Sequence, residues 1–323
     1  MNRVLLRKCV SEVQWLFLAC AFLLFTFCWV RVFIVASLET SSFASIIDKL
    51  WENWGRFSAV PLGQLLSYSG RIAIAYDEPV VVFCVTIFAI SRGSAAVSGE
   101  LSRGTMEMLL AQPVSRLQVL YSQAAVTVTC LALLAVLTWC GTWSGIQTAQ
   151  VTEPAPNKTI TVPLLNWQFS SPFASTEKIK VPMHERVNAR DFAPGAVNLF
   201  CLGVCVAGVT TLASACDRYR WRTIGIISAW FVSQMIFKVL SRAFDSTRFL
   251  EWLTIFSAYE PQRLIYIAVS SPAYNLAFQL PPADSQPAMT GPLTYYITLL
   301  TIGAVGYLAA GVVFHRRDLP APL

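Results

Sequence analysis

Apolar residues gather in six long runs along the chain, at 14–35, 79–98, 117–144, 195–214, 223–241 and 293–314, with more polar stretches between them. Each run is close to the about 20 apolar residues needed to cross the hydrocarbon of a bilayer. Within lipid every backbone N–H and C=O has to be paired inside its own segment, so runs of this length are helices rather than open strands. Between 145 and 194 the pattern changes. Thr159-Ile160-Thr161-Val162, Trp167-Gln168-Phe169 and Lys178-Ile179-Lys180-Val181 alternate with period two, with prolines between them, which predicts two or three strands. In 36–78, Phe43, Ile46, Ile47, Leu50, Trp51 and Trp54 recur at helical spacing with Asp48, Lys49 and Glu52 on the other side, as in a helix lying along a membrane surface. In 242–292 the apolar runs at 255–256 and 264–269 are too short to span, and Pro261 and Pro272 bracket the second. They read as half-helices that dip into the outer leaflet or pack on the bundle.

The expected fold class is therefore an all-α polytopic membrane protein with six transmembrane helices. It carries a small β-rich extracytoplasmic segment between spans three and four and re-entrant half-helices before span six. A single transmembrane domain, 1–323, accounts for the chain, with 145–194 as an outer insertion and 98–116 as a cytoplasmic segment.

Composition agrees with a lipid environment: 55% of residues are hydrophobic and only 13% charged, against about 25% charged in an ordinary soluble domain. Lys and Arg set the orientation, because cytoplasmic loops retain them. With the N-terminus inside, the short inner segments hold Arg3, Arg7, Lys8, Arg103, Arg116, Arg218, Arg220, Arg222, Arg316 and Arg317. The three outer segments, nearly three times as long together, hold about the same number. Both termini are expected in the cytoplasm, and the net charge of +6 is explained by the anionic inner leaflet without a nucleic-acid partner. The first run lacks a small-residue cleavage site after it and reads as a retained anchor.

The nine cysteines lie within spans or at their ends, which argues against a disulfide-stapled outer domain. Cys201 and Cys205 are one helical turn apart, but two thiols without a third ligand make a weak metal site. No catalytic residue and no metal-ligating set emerges. Arg31, Arg92 and Lys238 fall near span ends, where long side chains are expected to snorkel to the interface, and Ser233 and Gln234 are placed to hydrogen-bond a neighbouring helix.

The most informative string lies between spans two and three, from Glu100 to Arg116. It reads as a charged turn, a short amphipathic helix and a break. Thr105 is a candidate N-cap with Glu107 in the first turn, and Pro113 ends the helix. Met106, Leu109 and Leu110 form the side that buries, while Arg103, Glu107 and Arg116 face the cytosol. Glu100 followed by Gly104-Thr105, then Glu107, Leu109-Leu110 and Pro113-Val114-Ser115-Arg116, resembles the signature of the type-two ABC transporter permease family (ABC-2 type), whose members carry it between their second and third spans. The rest of the chain is similar more loosely: a basic lead-in, six spans, a short inner loop at 217–222 and re-entrant hairpins before span six. It departs at Gln123, where the family often has a basic residue, and in the β-rich outer segment.

The resemblance implies a permease subunit of an ATP-driven exporter in a bacterial cytoplasmic (inner) membrane. It further implies an ABC ATPase subunit as partner and a second permease chain, as homodimer or heterodimer. Glu100, Arg103, Gly104, Thr105, Glu107, Leu109, Leu110, Pro113 and Arg116 would form the segment that couples to the ATPase. ATP and Mg would be bound by that partner, since this sequence has no G-x-x-x-x-G-K-[ST] phosphate loop. The competing reading is an ATP-independent membrane transporter or scaffold with an extracytoplasmic sensing segment.

Overall fold

The computed structural model describes residues 3–37, 62–110, 114–154, 159–162, 167–170, 178–280 and 289–317. The amphipathic stretch expected at 43–54 and Pro113 lie outside these residues.

Among the described residues six helical segments are long and apolar enough to cross a membrane, and each contains one of the six apolar runs. The first is α1 (Arg3–Ser37), whose 35 residues make it about 50 Å long, against about 30 Å of hydrocarbon. Its basic lead-in is thus the first turns of the same helix. The second span, Tyr68–Ser102, is composite. A short helix (Tyr68–Ala73) and a tight turn (Ile74–Tyr76) lead into α2 (Pro79–Ser94), which continues through a π-helical turn (Ala95–Gly99) into a last turn, Glu100–Ser102. After it come α3 (Thr105–Leu110) and α4 (Arg116–Thr148), the latter opened by a capping box between Ser115 and Gln118. A four-residue helix, Leu62–Leu65, precedes the second span, and further along the chain come α5 (Ala193–Cys216), α6 (Arg220–Ala243), α7 (Pro261–Ser270) and α8 (Pro292–Arg316).

α5 is the hub. Small residues let its neighbours approach it closely, the usual means of packing helices in lipid. A Cβ built on Gly208 would lie 2.2 Å from the carbonyl oxygen of Gly303 in α8, and one on Gly303 would lie 2.7 Å from that of Val204. The α1–α4 pair uses the same device, with Gly141 and Gly145 of α4 against the backbone of Phe25 and Trp29 and the side chain of Val32.

Four strands connect α4 to α5. β1 (Gln150–Pro154) pairs antiparallel with β4 (Lys178–Pro182), Gln150 opposite Pro182, and β2 (Thr159–Val162) pairs with β3 (Trp167–Ser170), Thr159 opposite Ser170. A hairpin is thus nested inside an outer ladder. The sequence pattern misses β1 because Gln150-Val151-Thr152-Glu153 carries a single apolar residue, Val151, which is buried. A further two-residue ladder joins β5 (Gln279–Leu280) to β6 (Met289–Thr290) ahead of α8.

α7 is about 15 Å long and buries Leu264, Ile265, Ile267 and Ala268. It packs on the bundle, with Ile265 against Gly195 at the start of α5. Nearby, Asn198 of α5 donates to the carbonyl of Ala258 and accepts from the N–H of Glu260, which fixes the turn leading into α7. Ion pairs close this end of the molecule: Arg31 with Glu78 at 2.9 Å, and Arg242 with Glu260.

Two expected snorkelling side chains do otherwise. Lys238 turns inward and donates to the carbonyl of Tyr259 at 3.0 Å. Arg92 is only 5% exposed. It stays inside because α2 is surrounded by other helices at that level, leaving its side chain no path to the interface.

Candidate functional site at the Glu100 end

The residues singled out between spans two and three come together at the end of the bundle opposite the strands. The construction begins in α2, where the run Ser94-Ala95-Ala96-Val97-Ser98-Gly99 widens into a π-helical turn. Such a turn displaces the regular i to i−4 ladder and recurs at functional positions. Here the hydroxyl of Ser214 in α5 accepts from the N–H of both Val97 (3.2 Å) and Ser98 (2.9 Å) and donates to the carbonyl of Ser94 (3.1 Å). Thr223 of α6 donates to the Ser98 hydroxyl at 3.2 Å, and Arg220 reaches the carbonyl of Ser91 at 3.3 Å. The widened turn is therefore held by side chains from both neighbouring spans.

One residue beyond it stands Glu100. The sequence pattern places it in a charged turn, whereas the structure puts it in the last turn of the span with its side chain 1% exposed. A buried carboxylate needs charge and hydrogen-bond partners, and Glu100 has three. Lys8 of α1 donates to both its oxygens at 3.2 and 3.3 Å, the hydroxyl of Thr105 donates to it, and the guanidinium of Arg103 lies at 3.6 Å. Glu12, one turn along α1, shares Lys8 at 3.6 Å. Glu100 therefore ties the start of α1 to the segment after span two.

The helix end is turned by Gly104, whose φ of 71° is the left-handed conformation that a side chain resists. Thr105 then opens α3. It does not act as the expected N-cap: it is already helical, and its hydroxyl points back to the carboxylate and carbonyl of Glu100. An N-cap residue has to lie outside the helix with an extended backbone, and Thr105 is instead the first residue of α3. α3 buries Met106 against Ala96, Val97, Leu120, Ala215, Ala310 and Phe314, and turns Met108 outward, 74% exposed. Glu107, Leu109 and Leu110 belong to this helix, with side chains outside the described residues. Arg103 is exposed.

Arg116 opens α4 and is half-buried rather than wholly turned to solvent. It donates to the carbonyl of Arg317 at 2.6 Å, just past α8. Arg317 in turn donates to the carbonyls of Ala215 (2.7 Å) and Asp217 (3.0 Å) at the end of α5. Cations at the carbonyl ends of helices are favourably placed, and this relay binds the ends of α4, α5 and α8 into one plate under α3.

Sequence reasoning missed Lys8, Ser214, Thr223 and Arg317 as parts of the site. Lys8 was visible as a cation level with Glu100 once both are placed at the same end. Ser214 and Thr223 leave no local signal, because a lone hydroxyl on an apolar helix looks the same whether it faces lipid or a neighbour. Gln123, in the place where a basic residue is often found, is buried in the bundle. Gln234 accepts from the N–H of Ile255 at 3.1 Å, while Ser233 bonds its own helix at Trp230. Cys201 and Cys205 are buried free thiols, and no group of three or more His, Cys, Asp or Glu is placed to hold a metal among the described residues.

The arrangement is a short helix with Met106 buried and Met108 exposed, joined through the Glu100 charge cluster to α1 and the end of span two. Comparison with known families matches residues 13–319, nearly the whole chain, to the family described as ABC-2 family transporter protein. Comparison with curated proteins finds no match.

Proposed function

The chain belongs to the ABC-2 family of transporter proteins, and on that premise we propose that it is the permease subunit of an ATP-driven exporter. It is a multi-pass membrane protein. In this reading the Glu100 end faces the cytosol, both termini lie there, and the membrane is a bacterial cytoplasmic membrane. A separate ABC ATPase binds ATP and Mg, a second permease chain completes the transporter, and 145–194 is an extracytoplasmic insertion. Segment 98–116 is where the ATPase docks, with α3 as its contact and Met108 on the offered side.

The observation that carries the reading is the buried Glu100 cluster, in which one carboxylate bonds both Lys8 of α1 and Thr105 at the start of α3. Movement imposed on α3 would pass through Glu100 to Lys8 and α1, and through the widened turn and Ser214 to α5. Coupling of this kind needs a packed element with two arrangements and no chemistry in the permease itself. The basic residues of the Glu100 end support its cytosolic side.

The test is co-purification with its cognate ABC ATPase. Glu107→Arg and Leu110→Asp are expected to weaken assembly or to uncouple ATP turnover from transport. Unchanged assembly together with unchanged transport-coupled turnover in both variants contradicts the proposal.

A further inference from the structure

At the opposite end of the molecule a cavity of about 790 Å³ opens between α6, the 3-10 helix Asp245–Trp252, the turn before α7, and the first two turns of α8. This volume lies in the range of small-ligand sites. Its walls carry Arg242, Arg248 and Arg263, the carboxylates of Glu251 and Glu260, and hydroxyls from Thr294 and Thr298. Glu260 is engaged by Arg242 and by Arg263, at 3.7 Å from the latter. Arg248 and Glu251, both exposed, make no ion pair among the described residues.

The rim is as informative as the interior. Asp245–Trp252 buries none of its side chains. Trp252 is 92% exposed, and Phe244, Phe249 and Leu253 are exposed beside it, directly after the end of a membrane span. Large apolar and aromatic residues at that level match the headgroup boundary of a bilayer, where an aromatic ring has lipid on one side and water on the other. A cavity containing arginines, opening at this boundary under exposed Phe249 and Trp252, suits an amphiphile whose charged part enters while its tails stay in lipid.

We propose that this cavity binds the headgroup of a phospholipid from the adjacent leaflet. Arg248, backed by Arg263, receives the phosphate, because a guanidinium matches phosphate oxygens in a bidentate fork. Glu251 faces the ammonium of a zwitterionic headgroup, and Phe249 and Trp252 lie along the acyl chains. The site is independent of the ATP-coupling reading; it requires only that the spans lie in a bilayer.

The experiment is native mass spectrometry of the purified full chain after incubation with phosphatidylethanolamine, phosphatidylglycerol or diacylglycerol. Arg248 and Glu251 are exposed, so their variants are expected to keep the wild-type elution profile and melting temperature. Wild type should retain both phospholipids over diacylglycerol, and Arg248→Glu should lower retention of both by at least about tenfold, since one charge-assisted contact is lost and a repulsive charge is put in its place. Glu251→Gln should lower retention of phosphatidylethanolamine alone. Equal retention of diacylglycerol, or unchanged retention in Arg248→Glu, overturns the proposal. Displacement of the lipid by millimolar inorganic phosphate overturns it too, since the site would then serve a free anion.

Discussion

Lys8 and Glu100 show how one pair can join distant parts of the chain. Glu100 is buried and Lys8 partly solvated, so removing the lysine leaves a charge in the interior, whereas removing the carboxylate leaves a cation that water can reach. The two deletions are therefore unequal. Lys8→Met is expected to destabilise the protein by about 3 kcal/mol, in line with stranding a buried charge, and Lys8→Met combined with Glu100→Gln to recover much of that loss. Thermal denaturation of the purified variants checks this. A double variant less stable than Lys8→Met alone would show that Glu100 is held by Thr105 and Arg103 without need of Lys8. Arg92 is a second residue whose meaning lies in its surroundings: it is buried in a span, and its Nε and one Nη have no hydrogen-bond partner among the described residues. A cation in that position is costly in a membrane interior.

Among the elements, the α5–α8 crossing is the tightest contact. The Cβ positions of Gly208 and Gly303 fall on the opposing backbone, which has no side chain to yield. Gly303→Ala is expected to push the helices apart at a cost of about 1–3 kcal/mol. Gly225→Ala in α6, where nothing lies within 4 Å of the added carbon, should be neutral or slightly stabilising. Comparison of melting temperatures in detergent tests the contrast, and equal effects would contradict it. Elements were also where the sequence was most and least readable. The six apolar runs each exceed what a soluble core helix requires, so lipid alone dictates them, and all six lie within the long helices found. The alternation at 159–162 and 178–181 is local and coincides with β2 and β4. The π-helical turn at Ala95–Gly99 was not legible, because it depends on Ser214, more than a hundred residues away, to accept the displaced N–H groups. The fate of Lys238 and Arg92 was hidden for the same reason: snorkelling is judged from position along one helix, whereas burial depends on which helices surround it. The site was readable as a string of letters from Glu100 to Arg116, but its anchor to α1 was not.

For the whole molecule, the proposed orientation and the proposed coupling stand together, since α3 can meet an ATPase only if the Glu100 end is cytosolic. Cys216 is the one exposed cysteine, and it ends α5 at the Glu100 end beside Arg218 and Arg220. In intact cells a membrane-impermeant maleimide is expected to leave it unlabelled, with labelling appearing once the membrane is opened; labelling of Cys216 in intact cells would reverse the orientation. The most direct measurement is photo-crosslinking from α3 itself. With a photo-reactive amino acid in place of Met108, whose exposure on α3 makes it tolerant of replacement, illumination of the chain co-expressed with its ATPase should give a covalent permease–ATPase product, and the same probe at Trp252 should give none. Absence of the product from Met108, or its formation from Trp252 instead, would contradict the assignment of α3 as the docking element.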